Sequence, residues 1–135
     1  MRTFELHLQG ATQYERIGGV TRFIGEDDSG SFGIRAGHGR FMTALSFGLA
    51  RYQRDGEPWQ YLALPGGLLY YLADQLFLST RRYLRDTDYQ HISQRLLQEL
   101  AQEEEMLRDI KHSLKQMEEA MLRRLWHLQK GGTGR

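Results

Sequence analysis

Residues Ser29 to Arg40 run Ser-Gly-Ser-Phe-Gly-Ile-Arg-Ala-Gly-His-Gly-Arg, with glycines at Gly30, Gly33, Gly37 and Gly39. Glycine supplies positive φ and lets backbones approach closely. A flexible linker has no reason to keep Phe32 and Ile34, so the run reads as a shaped surface segment. A phosphate cradle is the competing reading. It lacks the Gly-Lys-Ser/Thr of a P-loop and the strand-then-helix setting of a dinucleotide fingerprint. Glycines among apolar anchors instead predict a tight β-corner.

Around this corner the first part of the chain has the grammar of strands. Thr3 to Gln9 alternates, with Phe4, Leu6 and Leu8 on one face and Glu5 and His7 on the other, the period of a half-buried strand. Val20 to Ile24 follows a Gly-Gly turn, and Glu26 to Gly30 is a polar turn. Phe41–Leu45, Phe47–Tyr52, Trp59–Leu64, Leu68–Leu72 and Leu76–Ser79 read as further strands, with Gly48 as a bulge. Arg54-Asp55-Gly56-Glu57 is a hairpin signal. Short strands with frequent turns predict an antiparallel β-sandwich or flattened barrel.

The grammar changes near Arg85. Glycine is absent from Gly67 to Gly131, and both prolines, Pro58 and Pro65, lie earlier. Asp86, Thr87 and Asp88 are N-cap candidates. Leu100, Leu107, Ile110, Leu114, Met117, Met121, Leu125 and Leu128 recur at three- and four-residue steps, an apolar stripe on a helix. The fold class expected is α+β: a β-sandwich over 1–85, a helical arm over 86–130, and a flexible tail over 131–135 begun by Gly131-Gly132. Unbroken, the helix would reach about 65 Å at 1.5 Å per residue. Such a stripe calls for a fold-back or a partner, and the acidic triplet Glu103-Glu104-Glu105 is the expected place for a fold-back.

Composition narrows the function. The chain has 135 residues and a formal net charge of +1, so nothing pulls it strongly toward nucleic acid or an anionic membrane. There are no cysteines, which removes disulfides, thiolate metal sites and a cysteine nucleophile. No apolar run approaches the roughly 20 residues that span a bilayer, and the N-terminus lacks a signal-peptide core, so a soluble intracellular protein is expected. The 5 histidines are scattered, without metal-ligand spacing. Ser29, Ser31, Ser46 and Ser79 lack a nucleophile elbow. No catalytic residue, metal or cofactor is expected, and a stand-alone enzyme is rejected. Arg81-Arg82-Tyr83-Leu84-Arg85 reads as a nucleic-acid patch or as a junction pinning helix to sandwich. Trp126, beside Arg123 and Arg124, suggests a docking end.

Three segments together carry a resemblance. They are Ser31-Phe32-Gly33-Ile34-Arg35-Ala36-Gly37-His38 followed by Phe41-Met42-Thr43-Ala44-Leu45, then Leu64-Pro65-Gly66-Gly67-Leu68-Leu69-Tyr70, and the exit from sandwich into helix. The chain resembles the epsilon subunit of bacterial F-type ATP synthase. Ala36 stands where that family usually has Pro. Of the ATP-associated motif at the helix start, only Asp88 matches within Thr87-Asp88-Tyr89-Gln90-His91-Ile92. These departures are similar to the alternate, sodium-type form of the subunit.

The resemblance implies a non-catalytic rotor component of the central stalk, coupling the gamma subunit to the c-ring. Asp28, Ser29, Gly30, Ser31, Phe32, Gly33, Gly37 and His38 would form the contact surface. The helical arm, with Asp88, Arg123, Arg124, Trp126 and Lys130, would inhibit ATP hydrolysis by meeting the beta subunit. The protein would lie on the cytoplasmic face of the bacterial inner membrane, held there only through the complex. Two rivals from other classes are a β-domain adaptor that oligomerises through a C-terminal coiled coil, and an RNA-binding β-barrel using Arg81, Arg82 and Tyr83.

Overall fold

A computed structural model describes residues 2–133, with residues 130–133 described by their backbone alone. The chain separates into two compact units, 1–101 and 102–135. Among the described residues, the first unit holds nine strands: β1 Phe4–Gln9, β2 Tyr14–Asp27, β3 Gly30–Ile34, β4 Phe41–Leu45, β5 Gly48–Arg54, β6 Gln60–Leu64, β7 Gly67–Leu72, β8 Gln75–Ser79 and β9 Leu84–Asp86. The helices are α1 Tyr89–Arg95, a π-helical segment Leu96–Leu100, and α2 Ala101–Thr133.

β2 organises the sandwich. Its first part pairs with β1, its second part with β5 and β3, and Asp27 reaches Leu45 of β4. One circuit therefore closes through β1, β8, β7, β4 and back to β2, while β5, β6 and β9 continue from the far side of β2. Every pairing is antiparallel except β1 with β8. A strand can serve both layers only if it bends. Gly19 has φ of +71°, and the register shifts between Val20 and Arg22 against β5, the local bend that a bulge provides. The Gly18-Gly19 pair, read from sequence as a turn, lies inside this strand.

The alternating strands close on a main core. Phe4, Leu6 and Leu8 of β1 are buried, as the period-2 pattern requires, against Phe23, Ile34, Leu62, Leu69, Tyr71, Leu76 and Leu78. Two glycines sit where a side chain would collide. A Cβ on Gly67 would lie 2.6 Å from the Ser79 carbonyl oxygen, and one on Gly25 2.9 Å from the Phe32 ring.

The compact unit continues past Arg85. Ile92 and Leu100 are fully buried with Ala63 and Leu84 in a second, smaller cluster. The Asp88 carboxylate caps α1 by accepting the Gln90 and His91 backbone N–H groups at 3.0 and 3.2 Å. Steps of four residues overrun the 3.6-residue α-turn. The wider π turn, closed by the Ala101 N–H donating to the Leu96 carbonyl, offsets the drift of two such steps and keeps Ile92, Leu96 and Leu100 on one side.

The junction segment takes part in this packing. Tyr83 is buried and its hydroxyl donates to Glu15 at 2.7 Å; Arg85 pairs with the same carboxylate at 2.8 Å, and Arg82 with Glu99 at 3.2 Å.

In the second unit α2 passes through Glu103-Glu104-Glu105 without a break. Glutamate is a good helix former and no breaker stands there, so the expected fold-back is absent. Helical backbone continues through Gly131 and Gly132 to Thr133. The rest of the expected tail, residues 134 and 135, lies outside the described residues, as does the Lys130 side chain.

Candidate partner-binding surface

The glycine-rich stretch becomes a strand with a built feature at each end. At its start, Asp27 holds the turn into β3. Its Oδ1 accepts the Ser29 N–H at 2.9 Å and the Ser29 hydroxyl at 2.5 Å, and its Oδ2 accepts Thr43 Oγ1 at 2.7 Å. The Ser29 and Thr43 hydrogen bonds hold the Asp27 carboxyl below the usual range. Asp28, Ser29 and Ser31 are left exposed. At its end, Arg35 to Arg40 turn back toward β4. Gly37 takes φ of +81°, and the His38 N–H donates to the Arg35 carbonyl at 3.1 Å.

This second corner is fixed by a residue far along the chain. Asp74 sits in the β7–β8 turn, where Ala73 and Asp74 both have positive φ, 51° and 59°, as a two-residue primed turn requires. Its Oδ1 accepts the Gly37 N–H at 2.8 Å and the Tyr71 hydroxyl at 2.6 Å. Its Oδ2 accepts Arg2 Nε and Nη2 at 3.0 and 2.9 Å. The Tyr71 bond, then Gly37 and Arg2, pull the Asp74 pKa down to about 2, against a smaller opposing effect of burial. Burial, and then the neighbouring carboxylate, push the Tyr71 hydroxyl up to about 12.

His38 lies on this frame. Its ring stands edge-on to Phe41 and Tyr71, with centroids 5.6 and 5.7 Å away, and its Nδ1 donates to the Gly39 carbonyl at 2.7 Å. Among the described residues, no carboxylate or nucleophile makes a polar contact with the ring.

The structure therefore divides the eight candidate residues. Gly33, Gly37 and His38 line one groove with Arg22, Arg35 and Ile34. Asp28 and Ser29 line another, with Asp27, Thr43 and Ala44, at the opposite end of β3. Gly30, Ser31 and Phe32 lie on the strand between, with Phe32 packed on Phe41 at 5.3 Å.

Sequence reasoning missed a second surface. Met42 of β4 pairs with Tyr70 of β7, Tyr70 with Phe77 of β8, and Phe77 with His7 of β1. His7 stacks on Phe77 at 4.6 Å. Met42 and Leu68 are 67% and 62% exposed, so an apolar row faces outward. The alternation of Leu68, Tyr70 and Leu72 with buried Leu69 and Tyr71 carried the signal, but a run of apolar residues hid which face was which. Asp74 was also missed, since a turn aspartate ordinarily needs no distant partner.

The sandwich and its corner match a family model. Residues 5–85 match the model described as ATP synthase, Delta/Epsilon chain, beta-sandwich domain. The chain belongs to this ATP synthase delta/epsilon family. A curated relative, ATP synthase epsilon chain 2 of Cereibacter sphaeroides, is 37% identical over 51 residues, covering 38% of this chain and 35% of the relative. The match thus spans about a third of that relative's length.

Among solved structures, the fold is similar to a chain of the Euglena gracilis mitochondrial ATP synthase, OSCP/F1/c-ring in rotational state 1. Its TM-score is 0.58 at 15% identity, over 68% of this chain and 60% of that one. A chain of the Tetrahymena thermophila mitochondrial ATP synthase central stalk and c-ring gives a TM-score of 0.53 at 11% identity, over 62% of this chain and 66% of that one. At these identities the likeness is one of fold.

The arm residues belong to two units. Asp88 is the α1 cap in the first unit. Arg123, Arg124 and Trp126 are exposed on α2, where Arg124 shares a shallow groove with Leu114, Met117 and Met121. Among the described residues, no cluster of His, Asp or Glu could hold a metal ion, and no helix is long and apolar enough to cross a membrane.

Proposed function

We propose that this chain is the epsilon subunit of the F1 sector of a rotary ATP synthase, a non-catalytic component of the central stalk that couples the gamma subunit to the c-ring. The match of residues 5–85 to the delta/epsilon sandwich model carries this reading. The physical demands of the role agree with it. Transmitting torque needs a stiff block with shaped contact loops and no reacting groups. The closed strand circuit and the Asp74 brace supply the stiffness. In this reading, Asp28 to Gly33, Gly37 and His38 contact gamma and the c-ring loops, and the apolar row from Met42 to Phe77 adds buried area to the same assembly. The chain lies on the cytoplasmic face of the membrane through the complex.

The arm is proposed to regulate. Its exposed stripe, Leu107, Ile110, Leu114, Met117, Met121, Leu125 and Leu128, suits a partner of the stalk, and Arg123, Arg124 and Lys130 suit an acidic segment of the catalytic beta subunit. Truncation after Ala101 keeps Ile92 and Leu100 in their cluster and removes only the second unit. The expected result is an assembled complex with several-fold faster ATP hydrolysis. Unchanged hydrolysis in an intact complex removes the inhibitory role and leaves the structural one.

A further inference from the structure

The outer side of the β3–β2–β5–β6 layer gathers Arg22, Arg35, Arg51 and Arg54, with Asp55 as the acidic residue that shares their grooves. Arg22 on β2 and Arg51 on β5 both set their guanidinium groups on Trp59, at 5.6 and 4.5 Å from its ring centroid. An indole face attracts a cation through its quadrupole. Two cations on one indole also repel each other. Arg35, from the corner after β3, joins Arg22 along two adjoining grooves. One, of about 470 Å³, reaches Gly37 and His38. The other, of about 280 Å³, reaches Gln53, Asp55 and Gly56. Among the described residues, Arg54 pairs with Glu57 at 3.6 Å, whereas Arg22, Arg35 and Arg51 make no ion pair. The whole chain carries only +1, so the surplus is local.

We propose that this double groove docks an acidic segment of a partner protein, with side-chain carboxylates taken by Arg22 and Arg35 beside Trp59. Guanidinium groups match carboxylates through paired N–H donors. A carboxylate placed here relieves the repulsion between the arginines on Trp59. The grooves run from the Gly37 corner to the Gly56 turn and share Arg22 and Arg35, a length that suits several residues of an extended chain. Arginine and tryptophan are also the residue types that anchor protein interfaces. The proposal does not depend on the stalk assignment.

Trp59 reports on binding directly. The chain has 2 tryptophans, so Trp126→Phe leaves Trp59 as the sole indole. The probe is a terminally blocked hexaglutamate peptide, titrated at low salt into the full chain, with inorganic pyrophosphate as comparator. The expected result is a saturable change in Trp59 emission that weakens as salt rises. Arg22→Gln and Arg35→Gln should each raise Kd about tenfold, equivalent to the loss of ~1.4 kcal/mol. Arg22→Lys should lose less, and Arg108→Gln, exposed on α2, nothing. Circular dichroism melts confirm that the variants fold. No saturable change, equal binding by the Gln variants, or pyrophosphate binding as tightly as the peptide would each overturn the proposal.

Discussion

The Asp74 carboxylate accepts the Gly37 backbone N–H at 2.8 Å, joining the β7–β8 turn to the corner that ends the glycine-rich stretch. The same carboxylate holds the buried Tyr71 hydroxyl and Arg2. One turn residue thus fixes the backbone on which His38 sits. Asp74→Ala should lower the melting temperature and loosen the corner, read as faster amide exchange at Gly37 and His38. Tyr71→Phe removes one hydrogen bond and should cost about 1 kcal/mol. Unchanged exchange at the corner in Asp74→Ala would show that the brace is not what holds it.

The same pair of groups sets a pH dependence at both ends of the scale. Asp74 is held near 2, below its ordinary 3.8, so its contribution to stability is present above about pH 4 and is lost as pH falls toward 2. Tyr71 is raised from 10 to about 12, so its contribution is full below pH 10 and is lost as pH rises toward 12. Asp74→Asn should flatten the acid limb of a stability profile, and Tyr71→Phe the alkaline limb. A profile unaltered by Asp74→Asn below pH 4 would contradict the assignment.

The glycines differ in what they tolerate. Gly67→Ala drives a Cβ to 2.6 Å from the Ser79 carbonyl oxygen, a backbone atom that cannot step aside, and should be strongly destabilising. Gly37→Ala meets only the end of the Arg2 side chain at 2.9 Å, but at φ of +81° an alanine loses roughly 1–2 kcal/mol. A Cβ on Gly39 would meet nothing within 4 Å, and Gly39→Ala should be close to neutral. Chemical denaturation of the three variants ranks them directly.

The edge of the compact unit is testable by the same means. Ile92→Ala and Leu100→Ala empty fully buried positions and should each cost about 2–5 kcal/mol. Leu114→Ala, at an exposed position, should change stability by less than about 0.5 kcal/mol. Truncation after Arg85 should destabilise the sandwich, and truncation after Ala101 should not.

Much of this fold is legible in the residues. Phe4, Leu6 and Leu8 alternate cleanly, and the Arg54–Glu57 hairpin and the Asp88 cap carry their own turn and cap chemistry. β3 is not legible, because Gly30 and Gly33 lower its strand character while its pairing with β2 sustains it. β9 is three residues long and exists through its partner β6. The helical run after Asp88 looks uniform in sequence. Where it leaves the compact unit depends on Ile92 and Leu100 finding Ala63 and Leu84, a match of shapes that periodicity does not encode. The corner at Gly37 is visible as a corner, but its brace spans 37 residues, and local reading has no access to such a contact.

The proposed role has residues 1–101 as a stalk-subunit sandwich that binds gamma. Its most direct test is co-expression of residues 1–101 with the gamma subunit of the same ATP synthase, followed by size-exclusion chromatography. A one-to-one complex that survives removal of residues 102–135 and is weakened by Met42→Glu or His38→Ala is the predicted result. A folded 1–101 fragment that elutes apart from gamma would contradict the account.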